Sequence, residues 1–345
     1  MIGDVILVLR RAANITQEEL AQRLGITQAS LSRYENNLRS PDESALEAIA
    51  EALGVTAGFL DHDFQIQGAI AADAHMRRQK TTKPSDWKRV EARLNALRMH
   101  SSYLLERVPL NPKNHVIQLD PDEHLPSEAA MMVRADWRMP IGPIRSLTRW
   151  VESAGVLIVE EDFGTHRIDG MSQWAGDHAV IFINSSLPTD RKRWTIAHEL
   201  GHLVLHSNYV DTDVEAQAND FATELLMPEH IIAPQLTGHL TLGKLTDLKA
   251  EWGVSMQAIF ERAFRMGKVT REDRSRFYRA LNARGWKVRE PGSEYLPPET
   301  PELAAAVGDQ LRGARLRDEE ICQLVGVRDL AGTPFASKRP RLQAV

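Results

Sequence analysis

Cysteine is nearly absent: Cys322 stands alone in 345 residues. A single thiol closes no intrachain disulfide, which excludes a disulfide-stapled secreted scaffold and agrees with a reducing cytoplasm. Long apolar runs are missing too. Nothing approaches the roughly 20 consecutive apolar residues of a membrane span, and the N-terminus lacks an apolar signal core. The expected location is therefore cytoplasmic, with no membrane partner. The chain has no internal repeats and no long low-complexity segment. Charge of one sign is not in large excess: a formal net charge of −5 points to no class of partner. What remains, 43% hydrophobic and 26% charged residues, is ordinary soluble composition, in a chain long enough for two or three domains with real cores.

The chemistry concentrates in His198-Glu199-Leu200-Gly201-His202. Residues four apart on a helix share a face, so His198 and His202 can aim imidazole nitrogens at one cation. Two neutral imidazoles suit Zn2+. Glu199 stands beside that face, where it can take a proton from an attacking water. A bare pentad of this kind also fits an amphipathic helix with two exposed histidines. The flanks speak against that: Ile196, Ala197, Leu203, Val204 and Leu205 make the segment apolar and hence buried. Two histidines and a glutamate are costly there unless a metal or hydrogen bonds compensate them. His206 continues the spacing but lies about 12 Å along the axis from His198, too far to share one ion, so it is expected to support the site or the fold.

Catalytic zinc usually has three protein ligands, and the third must come from elsewhere. Ala218, Phe221, Ala222, Leu225 and Leu226 recur at helical spacing, and Pro228 ends the run. Glu215 opens this helix, 13 residues after His202, and a short loop lets the helix fold back on the first. Glu215 is the expected third ligand, although its charge also suits a helix start for its own sake. Asp211, Asp213 and Glu224 stay open as alternatives. Asn219 and Asp220, one turn on, are candidates to hold the ligands in place. No residue marks itself as the oxyanion partner; His178, Tyr209, His230 and His239 are the candidates.

Beyond the pentad, short motifs follow one another through residues 126–291. They are Trp150-x-x-x-Ala154-Gly155-Val156, Asp169-Gly170-Met171-Ser172 and Ile181-Phe182-Ile183-Asn184, then Asp190-Arg191-x-Arg193-Trp194-Thr195-Ile196-Ala197 leading into the pentad. After it come Glu215-x-x-Ala218-Asn219-x-Phe221-Ala222, Leu225-Leu226-Met227-Pro228 and Trp252-Gly253-Val254-Ser255-Met256. In this order they resemble the ImmA/IrrE-type metallopeptidases, which cleave repressors in mobile elements and in radiation-response systems. The resemblance covers roughly half the chain. It implies zinc, one ion per chain, held by His198, His202 and Glu215, with Glu199 as catalytic base and a protein as substrate.

The first sixty residues point elsewhere. Asn14-Ile15-Thr16-Gln17-Glu18-Glu19-Leu20-Ala21, then Leu24-Gly25-Ile26-Thr27-Gln28-Ala29-Ser30-Leu31-Ser32-Arg33-Tyr34-Glu35, read as helix, glycine turn, helix. Thr16 with Glu19 makes a capping box, and Thr27 caps the second helix. Leu20, Leu24, Ile26 and Leu31 pack the pair, and residues 41–53 add a further helix. The pattern resembles the Cro/repressor-type (XRE) helix-turn-helix. The resemblance implies that the second helix enters the major groove of double-stranded DNA at an operator. Gln28, Ala29, Ser32 and Arg33 would face the DNA, and Gln17 a phosphate. Charge cuts against it: five arginines meet eight carboxylates in residues 1–60, a net −3, and DNA affinity leans on cationic phosphate contacts. The module could instead dock a protein, such as a repressor sharing its fold.

Residues 77–98 reverse the sign, with eight basic side chains against two acidic ones. Arg77, Arg78, Lys80, Lys83, Lys88, Arg89, Arg93 and Arg98 could meet phosphates or form a solvated face. Residues 80–85 read as a flexible break, and as a place where the chain could cut itself at high effective concentration. Trp87, Val90, Leu94, Leu97 and Leu104 then outline an amphipathic helix. It could pair with a twin in a homodimer or pack on the chain's own peptidase domain; three heptads are marginal for a coiled coil, which favours the second. A helix is expected at 146–154, strands at 156–159, 166–170 and 179–184, and mostly helix from 228 to 281. A Pro-rich break at 294–301 precedes a helical extension and a basic tail, Lys338-Arg339-Pro340-Arg341, to which no function is assigned.

The expected fold class is thus α+β and mostly helical. An all-α helix-turn-helix bundle (1–65) and a basic helical connector (66–125) lead to a zincin-like metallopeptidase domain with a small β-sheet (126–291) and a C-terminal extension (292–345). The expected function is that of a DNA-binding transcriptional regulator with zinc-dependent endopeptidase activity on a repressor or partner protein. One alternative is a non-enzymatic regulator whose peptidase-like half senses metal or a partner. The other is a protease whose helix-turn-helix docks its protein substrate.

Overall fold

A computed structural model describes residues 1–64, 84–206, 213–287 and 289–336. Among them α-helices outnumber strands sixteen to three, and apolar side chains gather in three cores.

The N-terminal bundle holds α1 (Ile2–Ala12), α2 (Gln17–Arg23), α3 (Gln28–Glu35), α4 (Glu43–Leu53) and α5 (Ala57–Leu60). Local chemistry sets the helix starts. Thr16, Thr27, Asp42 and Thr56 take extended backbone, and each side chain accepts from the amide three residues on; such a cap is worth about 1 kcal/mol. Thr16 and Glu19 close the expected capping box. Gly25 turns the chain at φ +64°, a conformation that costs a side-chain-bearing residue energy. Ile6, Leu20, Leu31, Ile49 and Phe59 seal the interior.

The connector helix α6 (Pro84–Leu105) is used on two sides. Trp87, Val90, Leu94, Leu97 and Leu104 join a core with Phe163, Met171 and Phe182 around the sheet and with Val307, Leu311, Ile321 and Val325 near the C-terminus. Met99 and Tyr103 enter the core of the N-terminal bundle instead. Its apolar positions are therefore covered within the same chain, by the sheet, the C-terminal helices and the bundle together.

The C-terminal helices α15 (Leu303–Gly313) and α16 (Asp318–Val325) lead to a seam with the bundle. Val55 and Val327 form a β-bridge. Thr56 N donates to Gly326 O at 3.1 Å, and Arg328 N to Gly54 O at 3.0 Å. Gly326 has φ +81°, and a Cβ there would stand 2.2 Å from the Phe59 ring, so this seam closes only around a glycine.

The second, sheet-containing part starts with α7 (Pro126–Asp136) and α8 (Leu147–Ser153), the latter capped by Ser146. Its sheet has the order β1 (Leu157–Glu161), β3 (His178–Asn184), β2 (Gly170–Ala175), with β1 parallel and β2 antiparallel to β3. The strand expected at 166–170 is not formed. Asn184 Nδ2 donates to the carbonyls of Thr165 and Ile168, and Asp169 pairs with Arg191 at 2.7 Å, which hold this stretch as a loop until Gly170. Then follow α9 (Thr189–Leu205), α10 (Val214–Leu226), the short α11 (Glu229–Ile232), α12 (Leu242–Trp252), α13 (Met256–Arg265) and α14 (Arg271–Ala283). Ile196, Leu200, Leu203 and Val204 of α9 are sealed in the largest core; burying such a side chain contributes about 1.5–3 kcal/mol. Among the described residues, no helix is long and apolar enough to cross a membrane.

Candidate metal centre and nucleic-acid interface

Helix α9 presents His198 and His202 one turn apart, and α10 brings Glu215 against them. The two helices approach closely because position 201 is glycine: a Cβ there would lie 3.1 Å from the Phe221 ring on α10. His198 Nε2 and His202 Nε2 are 3.0 Å apart. Glu215 Oε2 is 3.5 Å from the first and Glu215 Oε1 3.4 Å from the second. The three residues offer ligand atoms within 4.8 Å of one another, the one such group among the described residues. His198 keeps 12% of its side chain exposed, which leaves an approach from outside.

The electrostatics agree with a cation. Burial drives the His202 imidazole down to about 3, with Glu215 pulling the other way. His202 is thus a neutral base at ordinary pH, the form that ligates metal. Two imidazoles and a carboxylate, mostly desolvated and aimed at one point, fit a bound metal ion. Among the described residues, the alternatives Asp213 and Glu224 do not join this group. Asp213 is an exposed residue at the start of α10. Glu224 is buried against Arg262. Asp211 and Tyr209 lie outside the described residues.

Around this cluster every polar neighbour has a task. Asn219 Oδ1 lies 3.2 Å from His198 Nδ1, as its position one turn beyond Glu215 suggested; Asp220 instead pairs with Arg265 on the surface. Glu199 is 4% exposed, and Ser172 Oγ donates to its Oε2 at 2.7 Å. Sequence reasoning missed Ser172; its place in Asp169-Gly170-Met171-Ser172 was the only signal. The strand β2 that carries it has a weak strand pattern, but the two-residue Gly176-Asp177 turn before β3 marks the hairpin. Arg193 ties α9 to the rest of the domain, reaching Gly253 O, Ile144 O and the Glu299 carboxylate.

A cavity of about 540 Å³ is lined by Asn219, the neighbour of His198, and by Trp194, Thr223 and Arg262 among others, but by none of His198, Glu199, His202 and Glu215. A larger one of about 1370 Å³ lies at the seam, against Glu47, Cys322 and Arg328, and no residue of the cluster lines it. Of the oxyanion candidates, His178 opens β3, while His230 and His239 are exposed; His239 lines a separate cavity with Phe260 and Phe277.

On the bundle, Gln28, Ala29 and Arg33 are exposed along α3 and Ser32 is half-buried. Gln28 Nε2 donates to Gln17 Oε1 at 3.2 Å, and Gln17 Nε2 to Glu35 Oε2 at 2.9 Å. Glu35, 4% exposed, also accepts from Nε and Nη2 of the Arg10 guanidinium. This answers part of the charge objection. Glu19 and Asp42 are spent on caps, Glu47 on Arg328, and Glu35 is neutralised inside, so α3 shows no outward carboxylate. The connector cations do other work. Arg89 donates to Phe163 O and Arg93 to Asp162 O, holding the loop after β1; Lys88 is exposed. Arg77, Arg78, Lys80 and Lys83 lie outside the described residues, as do most of the break at 80–85 and the tail at 338–341.

Comparison with known proteins finds two family models on separate stretches of the chain. Residues 6–60 match the helix-turn-helix family model and residues 151–264 the family model described as the IrrE N-terminal-like domain. The chain carries an XRE-type helix-turn-helix followed by an IrrE/ImmA-like metallopeptidase domain. One curated relative is the radiation response metalloprotease IrrE of Deinococcus radiodurans, 36% identical over 74 residues, which are 17% of this chain and 23% of that protein. Another is the uncharacterized immunity region protein 2 of Bacillus phage phi105, 30% identical over 88 residues, 22% of this chain and 56% of that protein. The chain thus spans about a quarter of the first relative and just over half of the second.

Proposed function

We propose that the chain is a cytoplasmic transcriptional regulator that binds an operator through α3 and cleaves a repressor or another partner protein with a zinc-dependent endopeptidase. Residues 126–291 serve as its catalytic unit and residues 1–65 as its reading unit. The observation that carries this reading is the convergence of His198, His202 and Glu215, with Glu199 held beside them by Ser172. Zinc, which suits two imidazoles and a carboxylate, supplies Lewis-acid polarisation of a carbonyl and acidification of water. His198, His202 and Glu215 would hold it. Glu199 accepts the proton of the attacking water and hands it to the leaving amine. The outer edge of β2, next to Glu199 through Ser172, can align an extended substrate segment. The relatives, a radiation response metalloprotease and a phage immunity region protein, support regulated proteolysis rather than digestion.

The test mixes zinc-loaded protein with repressors encoded in its genomic neighbourhood and reads cleavage products by mass. Cleavage by the native chain and none by Glu199→Gln supports the proposal. Unchanged gene regulation in cells carrying Glu199→Gln, together with loss of regulation when residues 126–291 are deleted, would show a non-enzymatic regulator instead.

A further inference from the structure

We propose that His206 and Gln217 form a hydrogen-bond relay that fixes the metal-binding tautomer of His202. The inference rests on the metal-site reading above and assigns residues that are not themselves ligands.

The argument is one of proton counting. His202 Nε2 faces His198 Nε2 and Glu215 Oε1, at 3.0 and 3.4 Å. His202 Nδ1 faces His206 Nδ1 at 2.9 Å. This pair points away from the place where the ligand atoms of His198, His202 and Glu215 converge, so no cation comes between its nitrogens and they share one proton: one donates and the other accepts. The far side of His206 decides which. Its Nε2 lies 2.7 Å from Gln217 Oε1, an amide oxygen that only accepts. His206 therefore carries its proton on Nε2, and its Nδ1 offers a lone pair. His202 must donate from Nδ1, which leaves the Nε2 lone pair pointing into the cluster. Turning the Gln217 amide over would reverse the chain and put a proton on His202 Nε2, among the ligand atoms.

The placement is economical. His206 follows His202 by one turn on α9 and is 1% exposed. Gln217 follows Glu215 by two residues on α10, so the helix that delivers the carboxylate also delivers the end of the relay. His198 does not share this device: its Nδ1 meets Asn219 Oδ1 directly. A metal-bound histidine is commonly oriented by an acceptor on its other nitrogen, and losing that acceptor costs about 10–100-fold in metal affinity. Here the acceptor is a second histidine, which works only while a third residue holds its proton on the far side.

The experiment measures Zn2+ affinity of the full chain by competition with a chromophoric chelator, with circular dichroism as the check on folding. Gln217→Leu and His206→Phe should each weaken binding by about 10–100-fold. Gln217→Glu keeps an acceptor-only group and should bind close to native. Gln217 is half-buried, so its variants keep the test alive if His206→Phe does not fold. His202→Ala serves as reference. If His202→Ala loses zinc while Gln217→Leu binds as tightly as native, the relay is wrong and the metal site stands. If Gln217→Glu weakens binding as much as Gln217→Leu, the direction of the relay is wrong. Undiminished zinc in His202→Ala overturns the site itself, and the proposed function with it.

Discussion

At the metal cluster the polar groups are buried and answered by other groups of the same chain; on α3, Gln28, Ala29 and Arg33 face outward, and Gln28 reaches only Gln17 at the start of α2. The cluster's desolvation cost is met by the fold, through Ser172, Asn219 and the α9–α10 contact at Gly201. The α3 face is held from behind instead, by Gln17, Glu35 and Arg10. The difference teaches where a substitution will register. In the cluster it changes chemistry or metal content and leaves DNA affinity alone. On α3 it changes affinity and leaves the cluster alone.

The sharpest way to break that contrast is Glu199→Gln. A general base contributes about 10²–10⁴ in rate, so cleavage should fall by that factor while zinc content and operator binding stay native. A parallel loss of DNA binding, read by gel shift, would erase the separation. Ser172→Ala comes next. It removes a hydrogen bond to a charged group, about 1.5–3 kcal/mol, and should lower turnover more than tenfold with substrate KM and zinc content little changed. A rise in KM alone would give Ser172 a binding role.

The seam between the two regions carries a pH signature. His100 of α6 stacks on Phe59 of the bundle, ring centroids 4.3 Å apart, and its Nδ1 meets Val325 O at 2.8 Å. Burial pushes His100 down to about 4, against the pull of that carbonyl. The folded chain thus refuses a proton that the unfolded chain accepts below about pH 6.5. Stability is whole above that pH and is lost as pH falls towards 4, by an amount on the order of 3 kcal/mol. His100→Gln should flatten the acid limb of a urea-midpoint against pH curve; an unchanged limb would show that the seam does not titrate.

On the reading face, Arg33→Ala should cost about 1–3 kcal/mol at a specific operator and relax base preference there. The smallest effect belongs to Lys88→Ala, whose expected mark is a lower salt dependence of DNA binding, by about one unit of slope, with sequence preference intact. If Lys88→Ala changes nothing, the connector stands clear of the duplex.

Much of both regions was legible because the signals are local. The pentad spacing puts His198 and His202 on one helix face whatever surrounds it, and Thr16, Thr27 and Gly25 write the two turns of the helix-turn-helix in capping and turn chemistry. Even the misplaced strand had a readable remedy, since Gly176-Asp177 between 170–175 and 178–184 is a hairpin turn. The connector was harder. Its spacing announced an amphipathic helix but not what would cover it, and its arginines could as well have met phosphates as the carbonyls of Asp162 and Phe163.

By itself, then, the sequence determined the first helices of the bundle, where they start, and the helix face that His198 and His202 share, because helix periodicity and caps act within a few residues. Only the tertiary structure decided that Glu215 rather than Glu224 stands at the histidines, that Ser172 holds Glu199, that His206 and Gln217 line up behind His202, and that residues near 326 close on the bundle. Each of those is a meeting of segments distant along the chain, set by which surfaces the whole core brings together, and no local pattern of side chains encodes it.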